Sequence, residues 1–257
     1  MRSPDLPPAH AFSHIARPVR VVLHADHIAE DEFQGRIAVV LDVLRATSTI
    51  VTALANGARS FHVTLTVDEA VERARSLGPG TLLGGERGGV LIPGFDLDNS
   101  PLCFTRDRVQ GRDIVFTTAN GTAALLKARQ ADEVHVASLL NAHAIARKIA
   151  DDPRPVVILC SGTRSQISLD DCIGGGSVAS QLLALGRKWD GDDGLRLCID
   201  SYRAALAHGL ARALAESRGG LNLRNTPEGL RDLDWCAREN SIDLAPRFEP
   251  VSRTITV

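Results

Sequence analysis

This chain lacks the features that would assign it early to a membrane, a nucleic acid or a disulfide scaffold. Its formal net charge is −2 and no basic run exceeds a few residues, which removes the electrostatic footprint of nucleic-acid binding. No apolar stretch reaches the roughly 18 residues of a membrane span. The N-terminus, MRSPDLPPAHAFSH, has Pro and His where a signal peptide would carry an apolar core, so the expected compartment is cytoplasmic. The five cysteines (Cys103, Cys160, Cys172, Cys198, Cys236) are odd in number and widely spaced, with no CxxC pair. Disulfide frameworks and zinc ribbons need closer spacing, so free thiols are expected.

Several catalytic motifs are absent as well. Cys160 and Arg164 form C-x3-R, too short for the C-x5-R loop of cysteine phosphatases. Asp42 has no second acid two residues later, as aspartyl-phosphate enzymes require. GGERGG is no P-loop, because no Gly-Lys-Ser/Thr follows it. The eight histidines form no HExxH or HxH pair, and the string His24-Ala25-Asp26-His27 reads as structural.

What is present is an α/β pattern. The 257 residues, 44% of them apolar and 23% charged, suffice for one large domain or two small ones. Residues 1–18 are Pro-rich and polar and read as an arm; residues 19–257 read as one α/β unit, with two lobes divided near 110. Strands are expected over 19–23, 37–42, 60–64, 81–84, 113–117, 133–137 and 155–160. Helices are expected over 48–56, 67–77, 121–129 and 139–150. Helical patterns then fill about 169–239, before a short extended tail. Alternation of this kind predicts a mostly parallel sheet with helices on its faces. The chain also echoes itself: at one ungapped offset Ala46 matches Ala119, Thr49 matches Thr122, His62 matches His135 and Val63 matches Val136. The echo describes either two similar βαβ units facing a cleft or chance agreement between Ala-rich helices.

Three strands end in turns rich in Thr, Ser, Gly and Asn, each followed by a helical segment. The first holds Asp42, Arg45, Thr47, Ser48 and Thr49; the second Thr117, Thr118, Asn120, Gly121 and Thr122; the third Ser161, Gly162, Thr163 and Arg164. Free N–H groups and hydroxyls at the positive end of a helix hold phosphate, sulfonate and carboxylate. One such turn is common; three suggest a ligand with several anionic groups. Between the first two lies a long aperiodic stretch, Gly84 to Pro101, with Glu86 and Arg87 set among four glycines and with Asp96 and Asp98 further on. The carboxylates placed to hold a divalent metal are Asp42, Glu86, Asp96, Asp170 and Asp171. Asp42 ends an apolar strand, where ligands of open α/β sheets bind. Asp170 and Asp171 fit equally well as first-turn acids that favour a helix dipole behind Ser168. Arg45, Arg87 and Arg164 could each fork onto an oxyanion or pair with a neighbouring acid.

Taken in order, VVLDVLRATSTI, GGERGG with IPGFDLDNSP, TTANGT, CSGTRSQISLDDCIGGG and DLDWCARENSIDLAPRF resemble the 2-phosphosulfolactate phosphatase family over nearly the whole chain. The resemblance implies a Mg²⁺-dependent hydrolase that releases phosphate from (2R)-phospho-3-sulfolactate. Its catalytic residues would be Asp42, Arg45, Glu86 and Arg87, and its metal carboxylates would come from Asp42, Glu86, Asp170 and Asp171. The Thr, Ser, Gly, Asn and Arg residues of the three turns would bind substrate. Two positions depart from the family pattern: Asp98 stands where a glycine is usual, and Ser165 where another small residue is frequent. The alternatives are a phosphatase of another small 2-phospho acid and a non-catalytic anion-binding protein. A homodimer is the default assembly.

Overall fold

A computed structural model describes residues 16–257; residues 1–15, most of the expected arm, lie outside the described residues. Eleven strands form one sheet: β1 (Pro18–Val22), β2 (Ile37–Leu41), β3 (Ser60–Val63), β4 (Leu82–Arg87), β5 (Val90–Leu91), β6 (Asp113–Thr117), β7 (Glu133–Ala137), β8 (Val156–Cys160), β9 (Lys188–Trp189), β10 (Arg247–Glu249) and β11 (Thr254–Thr256). The helices are α1 (Ala46–Ala55), α2 (Val67–Leu77), α3 (Arg106–Val109), α4 (Gly121–Lys127), α5 (Ala142–Ile149), α6 (Leu169–Ala184), α7 (Asp193–His208), α8 (Leu210–Glu216), α9 (Gly220–Leu223) and α10 (Pro227–Cys236).

The order across the sheet is β5-β4-β6-β3-β11-β10-β7-β2-β8-β1-β9. Two parallel blocks, β4-β6-β3 and β7-β2-β8-β1-β9, are joined by the antiparallel hairpin β10-β11. The predicted extended tail thus lies in the middle of the sheet. β11 pairs with β3 and β10 pairs with β7, so the hairpin separates the two strands that carry His62 and His135.

The apolar runs explain which strands are central. β2 (IAVVL) is buried along its whole length, as a parallel strand covered on both faces must be. Ile37, Val39 and Leu41 pack with Ile158, Ile173 and Cys198 on one face, while Ala38 and Val40 pack with Ile50, Ala53 and Leu125 on the other. The first core is roofed by α5, α6 and α7 and the second by α1 and α4. The helix predicted over 67–77 matches α2, because its limits are chemically marked. Thr66 accepts from the Glu69 N–H, Glu69 answers the Thr66 N–H in a capping box, and Gly78 ends the helix at φ +95°.

The internal echo has a counterpart in element order: β3 and β7 keep the offset of the sequence match, while β2 and β6 are shifted by three residues from it. β2-α1-β3 and β6-α4-β7 are two βαβ units, and each crosses from one parallel block to the other. β2 and β7 lie in the larger block, and β6 and β3 in the smaller. The halves of the sheet are therefore not the halves of the chain. Because three antiparallel pairings separate the blocks, β6 and β2 are nominally opposed in direction. A right-handed twist of about 20–25° per strand pair, accumulated over the five steps between them, turns their carboxyl ends toward one another.

Candidate active site

Four strand ends meet at this convergence and are stitched together by hydrogen bonds. The Ser161 N–H beyond β8 donates to the Leu41 carbonyl (2.8 Å), and the Val43 N–H donates to Asp171 Oδ1 (2.8 Å). The Ala119 N–H beyond β6 donates to Glu86 Oε1 (2.9 Å) at the end of β4, and the Arg164 N–H donates to Asn120 Oδ1 (3.4 Å). The stitching encloses a cavity of about 110 Å³ lined by Asp42, Arg45, Glu86, Asn99, Asn120, Thr163, Arg164, Arg218 and Asn222, with backbone of Gly88, Gly89 and Gly219. That is far below the roughly 300–1,000 Å³ of pockets for drug-sized ligands, so the occupant is a small molecule.

Asp42 sits at the centre. Its Oδ1 accepts from the Ala46 N–H that opens α1 (3.3 Å), and the first residue of α4, Gly121, lies directly against it. A Cβ at Gly121 would stand 2.6 Å from both Asp42 Oδ2 and the Ala46 Cβ, so the two helix N-termini can meet only through glycine. Burial, then the Asp170 charge and the Glu86 charge, push the Asp42 carboxyl up to about 7. Asp170, also raised by burial, accepts from the Ser168 hydroxyl and lies beneath the Ser217–Gly219 turn, beside Asp42 but behind the cavity wall. Glu86 is buried, its Oε2 accepting from the Gly89 N–H (2.7 Å).

The cations divide into one fixed and two open. Arg45 is buried and its Nη1 is 2.5 Å from Asp232 Oδ2 on α10; Asp232 Oδ1 also accepts from the Ser100 hydroxyl (2.6 Å). Arg164 and Arg218 stand exposed at the rim, and neither has an ion pair among the described residues. Arg218, Asn222, Asn99 and Asp232 are absent from the set drawn from the sequence. Asn99 and Asp232 fall within the motifs DLDNSP and DLDWCARENS, but their type alone does not separate them from solvated loop residues. Arg218 carries no comparable signal beyond the glycines that follow it.

Several predicted residues lie elsewhere. Arg87 turns away from the cavity and donates to the carbonyls of Glu86 and Leu65 and to the Thr117 hydroxyl. The turn hydroxyls are spent on backbone carbonyls: Thr47 to Asp42 O, Ser48 to Val43 O and Thr122 to Thr118 O within their own turns, and Thr49 to Asn99 O in the long loop. The Ser161 hydroxyl and the Gly162 N–H both donate to Asp171 Oδ2. With Val43 on its other oxygen, Asp171 braces two turns and does not face the cavity. Asp96 caps the Leu83 N–H (2.8 Å). Asp98 does not have positive φ and accepts from the Ser100 N–H in a local turn, so it fits without strain where a glycine is usual. Ser165 has a φ of +56°, next to Arg164 at +50°.

The donor set suits a hard divalent cation. No Lys or Arg nitrogen pairs with Asp42, Glu86, Asp170 or Asp171 among the described residues, and the side-chain oxygen of buried Asn99, at the same cavity, has no hydrogen-bond partner. Carboxylate and amide oxygens are the ligands Mg²⁺ takes, usually one or two carboxylates with water and substrate oxygens completing the shell. Asp42, Glu86 and Asn99 would hold it.

A small cavity at the carboxyl ends of parallel strands, acidic within and ringed by arginine, defines an α/β enzyme acting on a small anion. Comparison with known proteins makes the class specific. The model of the 2-phosphosulpholactate phosphatase family matches residues 22–250. A protein of Symbiobacterium thermophilum named "Probable 2-phosphosulfolactate phosphatase" is 44% identical over 221 residues, 85% of this chain and 93% of that protein. Proteins of the same name from Deinococcus radiodurans and Clostridium perfringens are 42% and 37% identical, covering 86% and 90% of this chain and 90% and 93% of their own lengths. The chain belongs to the 2-phosphosulfolactate phosphatase family and is a phosphoric monoester hydrolase. No helix among the described residues is long and apolar enough to cross a membrane.

Proposed function

We propose that the protein hydrolyses (2R)-phospho-3-sulfolactate to 3-sulfolactate and phosphate with the help of Mg²⁺. The observation that carries this reading is the pairing, in one cavity of about 110 Å³, of unneutralised acids Asp42 and Glu86 with Arg45, Arg164 and Arg218. A three-carbon substrate that carries a phosphate, a sulfonate and a carboxylate asks for that division. When bound, Mg²⁺ would neutralise phosphoryl charge and polarise a water oxygen.

The chain's own residues supply the rest. Arg45 presents a guanidinium to phosphoryl oxygens in an orientation set by Asp232, so little side-chain entropy is lost on binding. Arg164 and Arg218, with Asn120 and Asn222, take the sulfonate and carboxylate at the rim. Water attacks phosphorus as the bond from phosphorus to the C2 oxygen breaks, and that oxygen leaves with a proton as the 2-hydroxyl of sulfolactate. Relatives of the same printed name support the substrate.

Purified protein with Mg²⁺ should release phosphate from phosphosulfolactate, lose that release in EDTA and recover it on Mg²⁺ addition. Phospholactate and phosphoglycerate, which lack the sulfonate, should show lower kcat/KM because the rim arginines are left unpaired. No release from phosphosulfolactate, with turnover of another 2-phospho acid, would overturn the substrate and leave the reaction class standing.

A further inference from the structure

Cys160 at the end of β8, Cys172 in the first turn of α6 and Cys198 in α7 bring their sulfur atoms within 4.8 Å of one another. None is disulfide-bonded. The three lie in the large core roofed by α6 and α7, with Cys160 and Cys198 fully buried and Cys172 7% exposed at the outer edge. Widely separated in the chain, they show no ligand spacing, and only the crossing of α6 and α7 over β8 assembles them. No histidine or carboxylate joins the group. The Cys160 thiol donates to the Asp171 carbonyl (3.4 Å), and Gly175 of α6 packs beside its sulfur, where a Cβ would stand at ordinary contact distance, 3.4 Å.

The geometry points to a trigonal three-thiolate site for one soft d¹⁰ cation of the Cu⁺ or Cd²⁺ class, separate from the phosphatase cavity. Metal–sulfur bonds of about 2.3 Å in a plane set the sulfurs about 4 Å apart, within the range that the fold already imposes. An all-sulfur, three-coordinate set selects thiophilic ions over Mg²⁺, which takes oxygen, and over a closed structural Zn²⁺ site, which takes four ligands. On loading, three S–H bonds give way to three metal–sulfur bonds and three protons pass to solvent; no electron is transferred. The Cys160 thiol then no longer donates to Asp171, the residue that braces the turns after β2 and β8, so the ion bears on the backbone beneath the active site.

The test is an anaerobic titration of the reduced protein with Cd²⁺, read by sulfur-to-metal charge-transfer absorbance. That signal is silent to any ion bound by the carboxylates. Saturation at one ion per chain is expected. Cys172→Ala and Cys198→Ala should each weaken the absorbing site more than about a hundredfold, since even outer-shell changes cost 10–100-fold. Cys103→Ala and Cys236→Ala should leave it intact. Cys172, at the cluster's edge, is the variant least disruptive to packing, and a cooperative thermal transition establishes that it has folded. Absence of the band in the native protein, or its persistence in a folded Cys172→Ala protein, would overturn the site.

Discussion

The two βαβ units share a plan and differ in what they place at the meeting point. In each, a threonine in the first turn of the helix (Thr47 in α1, Thr122 in α4) exchanges hydrogen bonds with the backbone of a residue just past the strand: Asp42 in one unit, Thr118 in the other. The same local device thus presents a carboxylate on one side and a hydroxyl on the other. The first turn adds Arg45, while the second offers Asn120 and the bare backbone of Gly121. One unit carries the charge and its twin supplies the clearance for it. A duplicated scaffold brings two helix N-termini together, and only one of them needs to hold reactive groups.

Removing the hairpin that joins the blocks should have the largest effect. Without residues 246–257, β3 and β7 each lose one of their two partners, the buried Phe248 and Ile255 are lost, and no cooperative unfolding transition should remain by circular dichroism. Next comes the asymmetry of the turns. Asp42→Asn should lower kcat/KM by about 10³-fold or more with the fold retained, as loss of a charge-stabilising group does. Thr118→Val, at the twin position, should cost about 1 kcal/mol of stability and less than tenfold in rate. Equal losses at both positions would show that the two turns do not differ in function.

Gly121→Ala tests the clearance. The added methyl must displace Ala46 or Asp42, for about 1–3 kcal/mol of overpacking in denaturant melts and a marked fall in kcat. The smallest effect concerns the paired histidines flanking the hairpin. Burial lowers the pKa of both His62 and His135 from 6.5; the Arg73 charge adds to the shift at His62, and Glu133 opposes it at His135. At these two sites the folded state therefore binds fewer protons than the unfolded chain below about pH 6.5, and their contribution to stability should fall as pH drops through that value. The slope is at most about 1.4 kcal/mol per pH unit for each histidine. The pH dependence of the unfolding midpoint between pH 7 and 5 should flatten in both His62→Gln and His135→Gln.

The sequence made the parallel scaffold readable because central strands are continuous apolar runs and helix ends are chemically marked. The strands over 113–117 and 133–137 and the helix over 67–77 agree with β6, β7 and α2 to the residue. The hairpin's central place was hidden, since Arg-Phe-Glu and Thr-Ile-Thr are too short to show a period and read as a tail. At the site, the strand-end turns were visible, and of the four acids singled out for a metal Asp42 and Glu86 line the cavity while Asp170 and Asp171, in the first turn of α6, do not. The direction of the hydroxyls was not: Thr and Ser before a helix cap their own backbone as readily as they face a ligand. Arg218 and Asn222 come from a helical segment whose approach depends on the packing of α8 and α9, which no local pattern encodes.

The order of synthesis gives the central hairpin a further meaning. The strands that fuse the two blocks follow every other described element in the chain, so the unpaired edges of β3 and β7 stay open until β10 and β11 have been made. Open edges are templates for pairing with other chains. Contacts this distant in sequence also form late and slowly. An active site built between the crossing units thus depends on a seam made of the last described strands in the chain.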